Sequence, residues 1–236
     1  DVWANQSYFA VGEDGGAQCV AGVPPDLFSE TGQLWGNPLY DWAALKADGY
    51  RWWIDRIERA LRWTPMIRLD HFRGFSAYYS IEGDAETAME GVWLEGPGCS
   101  FFNALDRALG VQGYIAEDLG QIDDAVHTLR HDAGMICMRV LQFGMTDPHS
   151  IHRPQSCPED AVVYTGTHDN DTTRGWWDAL GTEEKKMTAT TLGCTPQGEA
   201  VVRAMIDTAL ETESRMAMIP AQDILGLDGK ARMNIP

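Results

Sequence analysis

Five short apolar runs, separated by segments of helical period, constrain this chain more than any other feature of its sequence. They are Met66-Ile67-Arg68-Leu69, Tyr114-Ile115-Ala116, Met138-Arg139-Val140-Leu141-Gln142-Phe143, Ala161-Val162-Val163-Tyr164-Thr165 and Met216-Ala217-Met218-Ile219. A strand buried on both faces reads as a continuous apolar run rather than an alternating one. Helical patterns fall between the runs. In residues 38–63, Trp42, Leu45, Tyr50, Trp53, Ile54, Ile57 and Leu61 recur at helical spacing and predict one helix. Further helices are expected at 100–109, 122–132, 172–180, 183–191 and 197–211, with a short one after Pro220. Strands alternating with helices imply parallel strands joined by helical crossovers, and so an α/β fold.

The strand count then limits the architecture. A closed barrel of eight strands takes about 250 residues, so 236 would nearly suffice. Five strands do not close it. The expectation is an incomplete barrel holding about strands 4–8, in a chain whose ends, Asp1 and Pro236, read as cut. No repeat, low-complexity tract or linker divides it, so 1–236 is expected as one partial barrel. Residues 1–39 carry nine Gly and Pro and no clear period, which reads as a long surface loop. Loops of that length are usually functional or disordered. Phe28 and Trp35 favour function here.

Composition excludes several classes of partner. The net charge is −17, from 35 acidic and 18 basic residues. Nucleic acid and anionic membrane surfaces both call for a basic patch that this chain lacks. No apolar run approaches the roughly 18 residues of a membrane span. The five cysteines form no CxxC pair, so neither a disulfide framework nor a thiolate zinc site is expected, and a reducing cytoplasm is the simplest setting. The nine Trp are read first as core. The second reading makes some of them platforms for sugar rings.

Three acids stand at the ends of predicted strands: Asp70, Glu117 and Asp169. In barrels, the C-terminal strand edge is where catalytic side chains converge. Carboxyls of opposite duty suit glycosyl transfer, where one attacks the anomeric carbon and a second, protonated, serves the leaving oxygen. Arg68 and Asp70, at i and i+2, share a face, and a guanidinium there favours the anion that a nucleophile needs. Burial and a neighbouring Asp70 would both favour a protonated Glu117. Glu117 and Asp118 would point to opposite faces, with the choice open from sequence. A structural ion pair remains the alternative for Arg68 and Asp70. His71, His168 and Asp169 lack HxH, HExxH or paired-Cys spacing, so no metal or cofactor is expected. Asp171 is placed at or beside a helix N-cap. His127, His131, His149 and His152 are read as surface or loop residues without a partner pattern.

Ile67-Arg68-Leu69-Asp70-His71-Phe72-Arg73-Gly74-Phe75, Ala116-Glu117-Asp118-Leu119-Gly120 and the run from Tyr164 through Gly166-Thr167-His168-Asp169-Asn170 to Thr173 together form a specific signature. They resemble the amylomaltases, the 4-alpha-glucanotransferases of glycoside hydrolase family 77. Ala21-Gly22-Val23-Pro24-Pro25-Asp26, Gly32-Gln33 and Trp35-Gly36-Asn37-Pro38-Leu39-Tyr40 resemble that family's lid over the acceptor site. Asp1-Val2-Trp3-Ala4-Asn5 and Ala231-Arg232-Met233-Asn234 match as well. The resemblance implies a (β/α)8 barrel of the α-amylase type with an acceptor-site lid at 22–39. It implies Asp70 as nucleophile, Glu117 as acid/base and Asp169 as transition-state stabiliser. Arg68, His168, Gln33, Trp35, Phe28, Asp26 and Asn234 become substrate contacts. α-1,4-Glucans and maltooligosaccharides become the substrates, with glucose as an acceptor and no structural calcium. Leu27 stands where many members carry Tyr. The family's first barrel strands and its closing Gly-rich segment have no counterpart here, so the isolated piece is expected to lack activity. The competing expectations are an α-glucan hydrolase of the α-amylase type and a non-catalytic glucan-binding fragment.

Overall fold

The computed structural model describes residues 1–26 and 29–234. The chain divides into two compact units, Asp1–Met135 and Ile136–Pro236. Among the described residues, no helix is long and apolar enough to cross a membrane.

The first unit contains strands β1 (Cys19–Val23) and β2 (Gln33–Pro38), helices α1 (Trp42–Ala47) and α2 (Arg51–Leu61), and strands β3 (Met66–Leu69), β4 (Ala77–Glu82) and β5 (Val92–Glu95). Helix α3 (Cys99–Leu109), strand β6 (Gly113–Ala116) and helix α4 (Asp124–Asp132) complete it. β3 and β6 pair in parallel, Leu69 opposite Ala116, so Asp70 and Glu117 leave the sheet side by side. The aromatic core beneath them includes Trp53, Phe72, Phe75, Phe101 and Phe102.

Residues 1–39 are not the featureless loop that their Gly and Pro content predicts. β1 and β2 form an antiparallel hairpin that continues into a four-stranded sheet, ordered β2-β1-β4-β5. Pro38 is tolerated because β2 is an edge strand. Gly22 serves close approach: a Cβ there would lie 2.1 Å from the Gln33 carbonyl oxygen. The predicted single helix over 38–63 is two helices. Gly49 and Tyr50, at φ of 66° and 59°, turn the chain left-handed between them, which no periodicity reports. Asp41 starts α1 by accepting the Ala44 amide at 2.9 Å.

The second unit contains β7 (Cys137–Val140), α5 (Leu141–Gly144), β8 (Ala161–Tyr164), α6 (Thr173–Ala179), α7 (Thr182–Leu192), α8 (Gly198–Glu211), β9 (Met216–Met218) and α9 (Ala221–Ile224). β7, β8 and β9 form a parallel sheet in that order. β7 and β8 are buried along their whole length, as continuous apolar runs require. The strand expected over 138–143 ends at Val140, because the chain turns at once into α5. Val163, Leu141, Met145 and Met205 form the core. The α/β class stands as expected, and the five expected strands pair in parallel within each unit, β3 with β6 and β7-β8-β9. The antiparallel sheet was not anticipated.

Candidate active site

In the first unit the Arg68 guanidinium meets Asp70 at 2.7 Å, with the Asp70 side chain 75% exposed. Glu117 lies beside them and its carboxyl is held by the backbone. The His71 amide donates to Oε2 at 2.7 Å and the Leu119 amide to Oε1 at 3.1 Å. The main chains are stitched as well, with the Glu117 amide on the Leu69 carbonyl and the Phe72 amide on the Glu117 carbonyl, both at 3.0 Å. Burial pushes the Glu117 carboxyl up to about 7; the Asp70 charge adds to this, while the two amides and Arg68 oppose it. Asp118 points the other way. It is 3% exposed and lies 3.7 Å from Arg130, away from the Asp70 side of the sheet edge.

His71 holds this arrangement in a left-handed backbone conformation, φ 46° and ψ 53°, a rare state for a residue with a Cβ. That twist aims its amide at Glu117. Its imidazole packs edge-on against Trp35, with ring centres 4.8 Å apart. Burial pushes the His71 imidazole down, with Asp70 opposing and Arg73 adding. Arg73 itself is buried. It donates to the Gln121 carbonyl and to Asp123, and lies over the Trp93 ring at 4.0 Å. It therefore ties the segment after Asp70 to the segment after Glu117. Asp123 also caps α4.

Trp35 donates its indole N–H to Gln33 at 3.1 Å, so two of the expected lid contacts sit together on β2. A cleft of about 470 Å³ is lined by Trp35, Asn37, Arg68, Asp70, His71 and Tyr78 among others. Asp26 is engaged locally, accepting the Ser29 amide at 2.9 Å. Phe28 and Leu27 lie outside the described residues.

In the second unit Asp169 is 67% exposed and rests on side-chain donors. Asn234 Nδ2 reaches its Oδ1 at 2.9 Å, and His168 Nε2 lies 3.3 Å from Oδ2. Arg232 donates to the Asp169 carbonyl at 3.3 Å. The Thr167 amide and hydroxyl both donate to Asn170 Oδ1 at 2.8 Å, closing the loop on itself. A cleft of about 560 Å³ is lined by Thr167, His168, Asn170, Met218, Arg232 and Asn234 among others. Thr172 caps α6 and Asp171 is its neighbour. His152 does have a partner: it is half-buried and accepts the Val140 amide at 3.2 Å. Burial pushes its imidazole down to about 4.

A family model described as 4-alpha-glucanotransferase, glycoside hydrolase family 77, matches residues 1–236. The chain belongs to that family. It is 46% identical to the chloroplastic/amyloplastic 4-alpha-glucanotransferase of Solanum tuberosum, over its whole length and 41% of that protein. It is 44% identical to the 4-alpha-glucanotransferase of Thermus thermophilus, again over its whole length and 49% of that protein. The chain thus spans less than half the length of these curated relatives. Among solved structures, the amylomaltase of Streptococcus agalactiae in complex with acarbose matches with a TM-score of 0.94 and 36% identity, covering all of this chain and 48% of that one. The amylomaltase of Corynebacterium glutamicum, 18% identical, matches in fold with a TM-score of 0.72 over 92% of this chain and 36% of its own.

Proposed function

We propose that the protein is a 4-alpha-glucanotransferase that moves α-1,4-glucan segments between maltooligosaccharides, with glucose among its acceptors, by a retaining double displacement. The observation that carries this is Glu117: a carboxyl titrating near 7 beside an Arg68-paired Asp70, in a chain of this family. Two carboxyls in such different settings are what a nucleophile and an acid/base require. Asp70 attacks the anomeric carbon. Glu117 gives its proton to the leaving glycosidic oxygen, then takes one from the acceptor 4-hydroxyl. Asp169, with His168, holds sugar hydroxyls of the donor ring and favours the oxocarbenium-like transition state. Gln33, Trp35, Phe28, Asp26 and Asn234 contact the glucan. The acarbose bound to the Streptococcus agalactiae relative supports an α-glucan as substrate.

The five parallel strands are read as about strands 4–8 of a (β/α)8 barrel of the α-amylase type. Residues 22–39 serve as the lid over the acceptor site. A lid that excludes water favours transfer over hydrolysis, and β2 supplies Trp35 for that purpose. Five free cysteines support a reducing compartment, taken here as the cytoplasm. The test is incubation of the full-length protein with maltotriose. Longer maltooligosaccharides together with glucose are expected. A net gain of reducing ends without longer products would overturn transfer in favour of hydrolysis.

A further inference from the structure

We propose that Asp223, on α9, is a positioning residue for Asp169 and His168; this rests on the catalytic reading of Asp169 given above. Asp223 is 2% exposed and takes no part in the reaction as described. Its carboxylate accepts three hydrogen bonds from neutral donors. Thr165 Oγ donates to Oδ2 at 2.6 Å, Thr173 Oγ to Oδ2 at 2.7 Å, and the Thr173 amide to Oδ1 at 2.7 Å.

The two threonines bracket residues 166–172, the loop that carries His168 and Asp169. Thr165 follows β8 and Thr173 opens α6, and both are completely buried. One carboxylate therefore pins the loop where it leaves the sheet and where it enters the helix. Near its end the loop is also braced by Gln142, which donates to the Asp171 carbonyl at 3.0 Å.

The segment carrying Asp223 is also linked to the loop through residues 231–234. Gln222 of α9 donates to the Ala231 carbonyl at 3.3 Å, tying α9 to the turn that precedes Arg232 and Asn234. Those two residues hold the carbonyl and the carboxylate of Asp169. The clamp on the loop and the donors on Asp169 thus hang from one short segment. A buried carboxylate shared by three donors makes a rigid joint, because each donor left without it would be a buried polar group with no partner.

The test uses the full-length protein and two readouts at a temperature well below its melting point. Asp223→Asn keeps the shape but turns one acceptor into a donor facing two hydroxyls. The expected result is a kcat for maltotriose lower by about 100-fold, the loss typical of a catalytic group displaced by about 1 Å, with KM changed much less. Faster amide hydrogen exchange in 166–172 should accompany it. Thr165→Ser should restore both readouts relative to Thr165→Val, which serves as the milder probe where Asp223→Asn does not fold. In a double variant with Asp169→Asn, the loss from Asp223→Asn should vanish, since both act through one group. Unchanged kcat and unchanged exchange in Asp223→Asn and Thr165→Val would overturn the inference, as would losses that simply multiply in the double variant. Wild-type turnover in Asp169→Asn alone would instead overturn the catalytic reading of Asp169, and loop exchange would still decide the role of Asp223.

Discussion

Glu117 in the first unit and Asp169 in the second are held by opposite means. Glu117 is fixed by main-chain amides over an aromatic floor, and its proton affinity is set by exclusion of water. Asp169 stands in solvent, fixed by the side chains of Asn234 and His168. Burial, which raises the proton affinity of Glu117, changes slowly with small side-chain motion. Side-chain donors and water, which hold Asp169, leave it exposed to the loss of any one of them. The difference teaches that the same residue class is tuned through the backbone in one place and through side chains in the other.

The largest effects should come from Glu117 and its exposed neighbour Asp70. Glu117→Gln and Asp70→Asn are each expected to lower transfer from maltotriose by about 1000-fold or more. Asp118→Asn should do the reverse: turnover per folded molecule stays near normal, while the melting temperature falls as the Arg130 charge loses its buried partner. If Asp118→Asn abolished turnover and Glu117→Gln spared it, the assignment of the neighbours would be exchanged.

The next effect concerns pH. Glu117 binds its proton more tightly folded than unfolded, so its burial opposes folding increasingly as the pH rises from about 4.5 through about 7. Glu117→Gln should therefore raise the melting temperature at pH 8.5, by the equivalent of about 3 kcal/mol, and leave it nearly unchanged at pH 4. The alkaline limb of kcat/KM should fall near 7. Calorimetry and a pH–rate profile check these two outcomes, and equal stabilisation at both pH values would remove desolvation as the cause.

Smaller effects test the exposed side. Asn234→Ala removes one hydrogen bond from Asp169 and should lower kcat by about 10-fold with stability nearly unchanged. A loss as large as that of Glu117→Gln would erase the contrast between the two carboxyls. Smallest in activity is Asp41→Ala, which removes the α1 cap. It should cost about 1 kcal/mol of stability and leave kcat/KM for maltotriose as it was.

The parallel strands and their terminal acids were legible because burial on both faces leaves an unbroken apolar run. β5 was not, because Val92-Trp93-Leu94-Glu95 is exposed throughout and shows neither alternation nor burial. β4 mixes Tyr78 and Tyr79 with Ser80 and offers no cleaner signal. The identity of the acids could be read, but their tuning could not. It depends on burial that only the packed fold supplies and on a His71 amide turned by an unusual φ, in a segment that Arg73 ties to partners 48 and 50 residues away. Asp223 is the same case, reaching donors 50 and 58 residues distant. Spacing reports neighbours along the chain, and these contacts are made across it.

The opposite facing of Glu117 and Asp118 has a consequence for how this segment can change length. β6 is four residues long and in fixed register with β3. Deleting one residue from it would slide Asp118 into the place of Glu117 and turn the Glu117 carboxyl to the opposite face, since a one-residue slip inverts every side chain. Removing or adding two would keep the facing. Parity therefore decides the facing: an odd change reverses the sides that Glu117 and Asp118 look toward, and an even change keeps them.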